Sequence, residues 1–373
     1  MGDPLAESSW CEISLPKISR NLTHALKRLP KATQLCAVVK ADAYGHGIEN
    51  VVPLLMAQGV HYIGVSSNAE ARAVRNLGYT GRILRLRTAT AQEVKFASGD
   101  GIEEMVGTRA GLVSLIETLG LGALPRLHIS LNADGMSRDG LELSTPDGRE
   151  ACLKILDLAS HRVVGLCTHF PSNDAKELAV SIARFQEDLS WVFANSALQR
   201  EDMLIHAGST LTLSSGQDPK VDVMRCGAIL YGIAGARLDF QSTLALKSRV
   251  ISVGNYPKGS TIGYDRTTCL RQDKMLASIG LGYANGYCRQ LSGCGEVLIR
   301  GQRLPVMGKI SMNTIVADVT TLSGVAIGDE VVAFGQQGDQ VICSEGIEKL
   351  TGTIMADLYT DWGQRNPRVV CYG

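Results

Sequence analysis

Between Gln34 and Tyr231 the chain alternates eight short apolar, β-branched runs with stretches of helical periodicity. The runs are Leu35–Lys40, Tyr62–Ser66, Ile83–Arg87, Ile102–Val106, Leu127–Asn132, Val163–Phe170, Met203–Ala207 and Val221–Cys226. Continuous apolar runs, as opposed to strict alternation, mark strands covered on both faces. The segments between them carry helix signals: one opens at Asn68 and closes at Gly78, and another spaces Phe185, Leu189 and Val192 on one face. Eight strand-then-helix units in roughly 200 residues predict an α/β fold, an N-terminal parallel (β/α)8 TIM-type barrel. The fourth run, with Glu103 and Glu104 in it, fits the pattern least well.

After Ala236 the pattern changes to short strand-like runs (Val250–Val253, Met275–Ile279, Val297–Arg300, Val306–Met307, Ile315–Val319, Val331–Phe334 and Val341–Cys343), separated by turns such as Gly335-Gln-Gln-Gly338-Asp339. Helical stretches are scarce there apart from Ser344–Leu350. A C-terminal β-rich domain is therefore expected, with boundaries at 12–238 for the barrel and 239–373 for the β-rich part, which residues 1–11 are expected to join. The 37 basic residues balance the 37 acidic ones, so no net field exists to hold a nucleic acid or a membrane surface. No run approaches the ~18 apolar residues of a membrane span. The ten cysteines are scattered without a CxxC pair, which argues against zinc or another metal and does not require disulfides.

In a barrel of this kind chemistry collects at the C-terminal ends of the strands. The ends here are polar or cationic: Lys40 on the first run, Arg85-Leu-Arg87 on the third, Asn132 to Arg138 after the fifth, Thr168-His169 on the sixth, His206 to Thr210 on the seventh and Arg225 on the eighth. A lysine held against an apolar interior loses proton affinity and becomes a nucleophile, although from position alone the commoner outcome is that Lys40 extends to solvent. Ser209 and Thr210, with Gly227-Ala228, offer hydroxyls and open backbone N–H groups suited to a phosphate. Taken singly, Arg225 could be a structural ion pair and His169 a hydrogen-bonded core histidine.

Ala37-Val-Val-Lys40-Ala-Asp-Ala-Tyr44-Gly-His-Gly47 resembles the pyridoxal-phosphate lysine signature of the alanine racemase family. Asp134-Gly-Met-Ser-Arg138, Thr168-His169-Phe170, Arg225-Cys-Gly227, Gly263-Tyr264-Asp-Arg-Thr267, Leu281-Gly-Tyr283-Ala-Asn-Gly-Tyr287 and Gly308-Lys-Ile-Ser-Met312-Asn313 resemble its other landmarks in the same order. The resemblance implies that Lys40 holds pyridoxal 5'-phosphate covalently. Tyr44, Ser209 and the backbone at Gly227 and Ala228 would grip its phosphate, Arg225 would face the pyridine nitrogen, His169 would pack near the ring, and Arg138 would reach the phenolic oxygen and the substrate. An arginine at the pyridine nitrogen leaves that nitrogen unprotonated, which favours racemisation over transamination.

Two bases are implied, Lys40 on one face of the α-carbon and Tyr264 on the other, a role Tyr264 can fill only if its pKa falls well below ~10, as nearby cations would favour. In this family the tyrosine comes from the partner chain, so a homodimer with composite sites is implied, to which Tyr283, Met312 and Asn313 also contribute substrate contacts. Arg85-Leu-Arg87, Asn132, Ser137-Arg138, Phe170-Pro171 and Asn366-Pro367 resemble the broad-spectrum branch, whereas Asp139 departs from it. The expectation is a racemase of free amino acids including lysine, arginine and alanine; a strict alanine racemase is the alternative. That branch implies a periplasmic protein from which a signal segment has been removed; without such a segment the protein is cytoplasmic.

Overall fold

The computed structural model describes residues 6–172, 174–234 and 238–372. The chain divides into two compact units. One contains Ser19–Ala43 and Ile48–Phe240; the other contains the chain up to Ile18, the short segment Tyr44–Gly47, and everything from Gln241. After a first strand β1 (Ser9–Ser14), which belongs to the second of these, the barrel strands are β2 (Gln34–Val38), β3 (Tyr62–Val65), β4 (Arg82–Thr88), β5 (Ile102–Val106), β6 (Leu127–Ser130), β7 (Val163–Cys167), β8 (Leu204–Ala207) and β9 (Val223–Cys226). They close into a parallel barrel in that order, β9 pairing back onto β2 with Cys36 opposite Arg225. All eight apolar runs of the sequence are strands, the doubtful fourth among them.

Cys36, Tyr62, Leu84 and Val223 pack inside the barrel with Leu86 and Leu204. A second cluster joins β5 to β8 to the helices outside, with Leu112, Leu115, Ile155, Phe185, Leu189 and Val192 in it. Helices enter with side-chain caps: Ser67 accepts from the Glu70 amide while the Glu70 carboxylate accepts from the Ser67 amide, and Thr90 and Glu93 repeat the device. Strand alternation also explains the fourth run. Glu103 points into the barrel and Glu104 out of it, and each finds partners of its own.

The second unit is built on a nine-stranded sheet. Its strands are β1, β10 (Leu244–Tyr256), β13 (Lys274–Ile279), β14 (Glu296–Ile299), β15 (Gln302–Met307), β16 (Ile315–Asp318), β17 (Glu330–Gln337), β18 (Gln340–Ile342) and β19 (Arg368–Cys371), with β11 (Thr261–Ile262) and β12 (Thr268–Cys269) as a separate ribbon. The 13-residue β10 is the hub, pairing with β1, β13 and β17. Only part of it was expected from the sequence, because Lys247-Ser-Arg249 interrupts the apolar residues Leu244-Ala-Leu246 and Val250. The helix Met355–Arg365 was not expected either. It buries Tyr359 and Trp362 against Phe334, with ring centroids 5.7 and 5.2 Å from that phenylalanine. Among the described residues no helix is long and apolar enough to cross a membrane.

Candidate active site

The barrel strand β2 runs directly into Lys40. The chain then turns through Ala41, Asp42, Ala43 and Tyr44, all with φ between 52° and 55°. Four successive non-glycine residues in this region form a left-handed turn, which costs about 1–2 kcal/mol per residue and persists only where the surroundings enforce it. The enforcement is visible. The Glu70 carboxylate accepts from the Ala41 amide at 2.8 Å and from the Ser66 amide at 2.7 Å. The Asp42 carboxylate accepts from the Ile48 amide at 2.8 Å. Neither Glu70 nor Asp42 was marked by sequence reasoning as supporting the site; the capping pattern Ser67-x-x-Glu70 was the available signal.

Around Lys40 the barrel unit assembles three further groups. Lys40 reaches solvent in part, yet desolvation of its ammonium, reinforced by the Arg138 and Arg225 guanidinium groups and opposed by Glu70, holds it below its ordinary value of 10.5. His169 lies with its Nδ1 3.3 Å from Arg225 Nη2. Part of its ring reaches solvent, yet desolvation and the charges of Arg225, Arg138 and Lys40 push it down to about 3, so it is neutral. Arg225 itself is buried. Its Nη1 donates to His206 Nδ1 at 2.9 Å and to the His206 carbonyl at 2.8 Å, and its Nη2 donates to the Thr168 carbonyl at 2.6 Å. None of these partners is a carboxylate. Lys40, Arg138, His169 and Arg225 therefore gather three cations with no carboxylate bonded to Arg225, the Glu70 and Asp139 carboxylates acting on Lys40 and Arg225 without a direct bond to either.

Arg85 and Arg87, expected at the same rim, do not join it. Arg85 points outside the barrel and is paired with Glu104 at 2.7 Å, and Arg87 is paired with Glu93. On the other side of the rim Ser209 caps the helix Thr210–Ser215, its Oγ accepting from the Leu211 amide at 3.2 Å. Gly208, at φ 78°, makes the turn into that cap. The Ile229 amide donates to Thr210 Oγ1 at 3.1 Å, which ties the Ser209 turn to the Gly227-Ala228 turn after β9. Arg138 sits on a loop pinned from below by the Asn132 side chain: its Oδ1 accepts from the Ser137 amide at 2.9 Å, and its Nδ2 donates to the Glu142 carboxylate at 2.7 Å.

Tyr44 belongs to the second unit, where its carbonyl lies 3.1 Å from His46 Nδ1 and His46 Nε2 lies 2.7 Å from Thr243 Oγ1. The same unit carries Tyr264, Tyr283, Met312 and Asn313, all exposed. The Tyr283 amide donates to the Ser311 carbonyl at 3.1 Å and the Ala284 amide to the Met312 carbonyl at 2.9 Å, so these two loops lie side by side. Gly282 permits it, because a Cβ there would fall 2.3 Å from the Met312 oxygen. Tyr264 rides on a tight turn with Asp265 at φ 59°, and Asp265 is ion-paired to Lys309 of the loop that leads to Met312. The Arg289 guanidinium lies 6.0 Å from the Tyr283 ring centroid. Among the described residues no group of three or more His, Cys, Asp or Glu side chains is placed to hold a metal ion.

The barrel-unit residues fit a phosphorylated, carbonyl-bearing cofactor. A lysine amine with lowered proton affinity is a carbonyl nucleophile. The cations Arg138 and Arg225, unopposed by a directly bonded carboxylate at the rim, suit a polyanion, and Ser209 offers a hydroxyl at a helix start.

Residues 13–235 match the family described as alanine racemase, N-terminal domain, and residues 243–370 match alanine racemase, C-terminal domain. A broad specificity amino-acid racemase of Aeromonas hydrophila subsp. hydrophila is 40% identical over 374 residues, covering 98% of this chain and 90% of that protein. A lysine racemase of Proteus mirabilis is 39% identical, again covering 98% and 90%. The crystal structure of alanine racemase from Bacillus anthracis with bound L-Ala-P matches with a TM-score of 0.90 and 25% identity, covering 98% of this chain and 96% of that one. An alanine racemase from Bartonella henselae with covalently bound pyridoxal phosphate shares the fold at a TM-score of 0.84 and 22% identity, covering 98% of this chain and all of that one. Through both of its domains the chain belongs to the alanine racemase family of amino-acid racemases.

Proposed function

We propose that this chain is a pyridoxal-phosphate-dependent racemase of broad specificity, acting on free lysine, arginine, alanine and other amino acids, as a homodimer with composite sites and, as its branch implies, in the periplasm. The observation that carries the reading is Lys40, an amine of lowered proton affinity held by a strained turn beside Arg138 and Arg225. The cofactor, when bound, supplies an electron-withdrawing ring that acidifies the substrate's α C–H. Lys40 binds it through Nζ, and Tyr44, Ser209 and the backbone at Gly227 and Ala228 grip its phosphate. Arg138 orients the phenolic side and the substrate carboxylate. Neutral His169 packs beside the ring without adding a competing charge. Arg225 does not give up its protons, so the ring nitrogen it would face is not protonated from the protein.

Racemisation then needs a proton removed from one face and returned on the other. Lys40 Nζ takes or delivers it on one side and Tyr264 Oη, supplied by the second copy, on the other. Tyr283, Met312 and Asn313 border the substrate from that copy. The likeness to broad specificity and lysine racemases supports side chains larger than alanine's. Exchange of the α-proton in D₂O, followed by NMR with L-alanine, L-lysine and L-arginine in separate samples and by chiral analysis, tests the reading. Exchange with D-product from lysine and arginine is expected. Activity on alanine alone would reduce the proposal to a strict alanine racemase, and no exchange with any of the three would overturn it.

A further inference from the structure

Arg225 is the last member of a hydrogen-bonded line that crosses the barrel interior. From Arg225 Nη1 it runs to His206 Nδ1 at 2.9 Å, from His206 Nε2 to His128 Nδ1 at 3.1 Å, and from His128 Nε2 to Glu103 Oε2 at 2.8 Å. Both histidine rings are buried. Glu103 is gripped from its other side by Arg82, with Nε at 2.7 Å and Nη2 at 2.6 Å, and Arg126 stands 3.4 Å away. Gly165 leaves room for the His128 ring, since a Cβ there would fall 2.3 Å from its Nδ1.

Donor accounting allows one arrangement of protons. Arginine only donates, so His206 Nδ1 must accept. A histidine keeps at least one ring proton, which for His206 is then on Nε2 and points at His128. His128 Nδ1 must therefore accept, and its own proton lies on Nε2, aimed at the Glu103 carboxylate. Both rings are neutral and hold the same tautomer. This agrees with burial driving His128 and His206 below their ordinary 6.5, against the pull of Glu103 on His128. Each ring dipole turns its lone pair towards Arg225 and its N–H towards Glu103. The line thus places negative potential next to a buried guanidinium that no carboxylate touches.

We infer that Glu103, acting through His128 and His206, is the positioning residue that fixes Arg225 and keeps its charge facing the cofactor's ring nitrogen. The inference rests on the cofactor reading proposed above for Lys40 and Arg225. Arg82 and Arg126 hold Glu103 ionised at the far end, while Arg225, Lys40 and Arg138, with the Asp139 and Glu70 carboxylates acting on Arg225 and Lys40, are the charges at the near end. Glu103, His128 and His206 reach the site only through Arg225, so their effect is on its orientation and field.

The test uses the full chain labelled with ¹⁵N-histidine, with and without pyridoxal phosphate, with resonances assigned through His128→Gln and His206→Gln. In the unaltered protein both histidines should be neutral with the proton on Nε2 from about pH 5.5 to 8.5, a range in which a free histidine changes charge. Glu103→Gln should move the His206 ring-nitrogen resonances and lower kcat for α-proton exchange about tenfold, the usual scale for a supporting partner, with little change in KM. A proton on Nδ1 of either ring, or a doubly protonated ring, would overturn the inference without need of any variant. So would a folded Glu103→Gln protein with unchanged His206 resonances and unchanged kcat. If the unaltered protein exchanges no α-proton at all, the functional assignment of the line falls with the racemase reading, and the tautomers, read independently, distinguish that failure from a wrong hydrogen-bond line.

Discussion

Glu103 and Glu104 are neighbours on β5 and have opposite surroundings. Glu103 faces the barrel interior, where His128 and Arg82 donate to it and hold its carboxyl at about 2 against the opposing effect of burial. Glu104 faces the helices, where it forms a buried two-bond pair with Arg85, at 2.7 and 3.0 Å, and where burial outweighs Arg85 and raises its carboxyl above 4.5. Inside, the carboxylate ends a line of donors that leads to the site. Outside, it is half of a pair sealed under the helix layer, with Arg85 also donating to Asn68 at 2.6 Å and leaving its Nη1 without a partner. The same residue type thus ends a hydrogen-bonded line to Arg225 on one face of a strand and closes a buried ion pair on the other.

The outer pair should give the largest change in stability. Arg85→Met strands Glu104 in a dry layer, and breaking such a pair costs about 3–5 kcal/mol. Denaturant unfolding should register that loss, with kcat retained in whatever fraction stays folded. Replacing both partners, Arg85→Met with Glu104→Leu, should return stability to within about 1 kcal/mol of the unaltered protein or above it, because the desolvation penalty of both charges disappears. A double variant as unstable as the single one would mean that the pair is more than cohesion.

Gly165→Ala attacks the inner line without changing any charge. The added methyl would fall 2.3 Å from His128 Nδ1 and 2.5 Å from the Leu204 carbonyl oxygen. Overpacking of this kind costs about 1–3 kcal/mol, and the His128 resonances should move with it. If the unfolding midpoint falls while the His128 and His206 resonances stay in place, the strain has been absorbed by β8 and the line is more tolerant than its geometry implies.

Acid titration separates the two carboxylates by sign. Glu103 has a folded-state value depressed to about 2, so its stabilisation is complete above its ordinary 4.5 and is lost as pH falls between the two. Glu103→Gln should therefore flatten the acid limb of the stability curve in that window. Glu104 has a raised folded-state value, so its contribution is present below 4.5 and is lost as pH rises through that raised value. Glu104→Gln should flatten the curve on that higher-pH side instead. Equal effects of the two substitutions in one window would erase the distinction between inside and outside.

The barrel was legible because parallel strands buried on both faces leave continuous apolar runs; β5 was the weakest of them, and only the structure shows its two glutamates facing opposite ways. The second unit was less legible. β1 and β19 lie at opposite ends of the chain and pair in parallel, Cys11 opposite Arg368, so neither carries a local hairpin signal. The helix Met355–Arg365 buries one stripe and exposes the rest, and its residues Tyr359, Trp362 and Gly363 read poorly as helix formers. In the site, Lys40 and Arg225 could be named from strand ends and motifs. Arg82, Glu103, His128 and His206 could not be joined, because their line exists only when four strands close around it. Arg85 and Arg87 misled for the same reason: a strand end says how far along the barrel a side chain stands, not which face it points from.

The smallest effect belongs to a cap, and it tests whether outer-layer stability and site geometry are separable. Ser67 caps the helix Asn68–Asn76 through Oγ, accepting from the Glu70 amide at 3.2 Å, while Glu70 itself reaches back to Ala41 in the strained turn after Lys40. Ser67→Ala removes the cap and should cost about 1 kcal/mol, visible as a lower unfolding midpoint. The Ser67 amide remains, and so does its bond to the Glu70 carboxylate, so Glu70 keeps its hold on the Ala41 amide. The variant should therefore retain the kcat of the unaltered enzyme. A fall in kcat beyond the loss of folded protein would show that the turn bearing Lys40 depends on the whole capping box, and that the helix layer contributes to the site as directly as the barrel interior does.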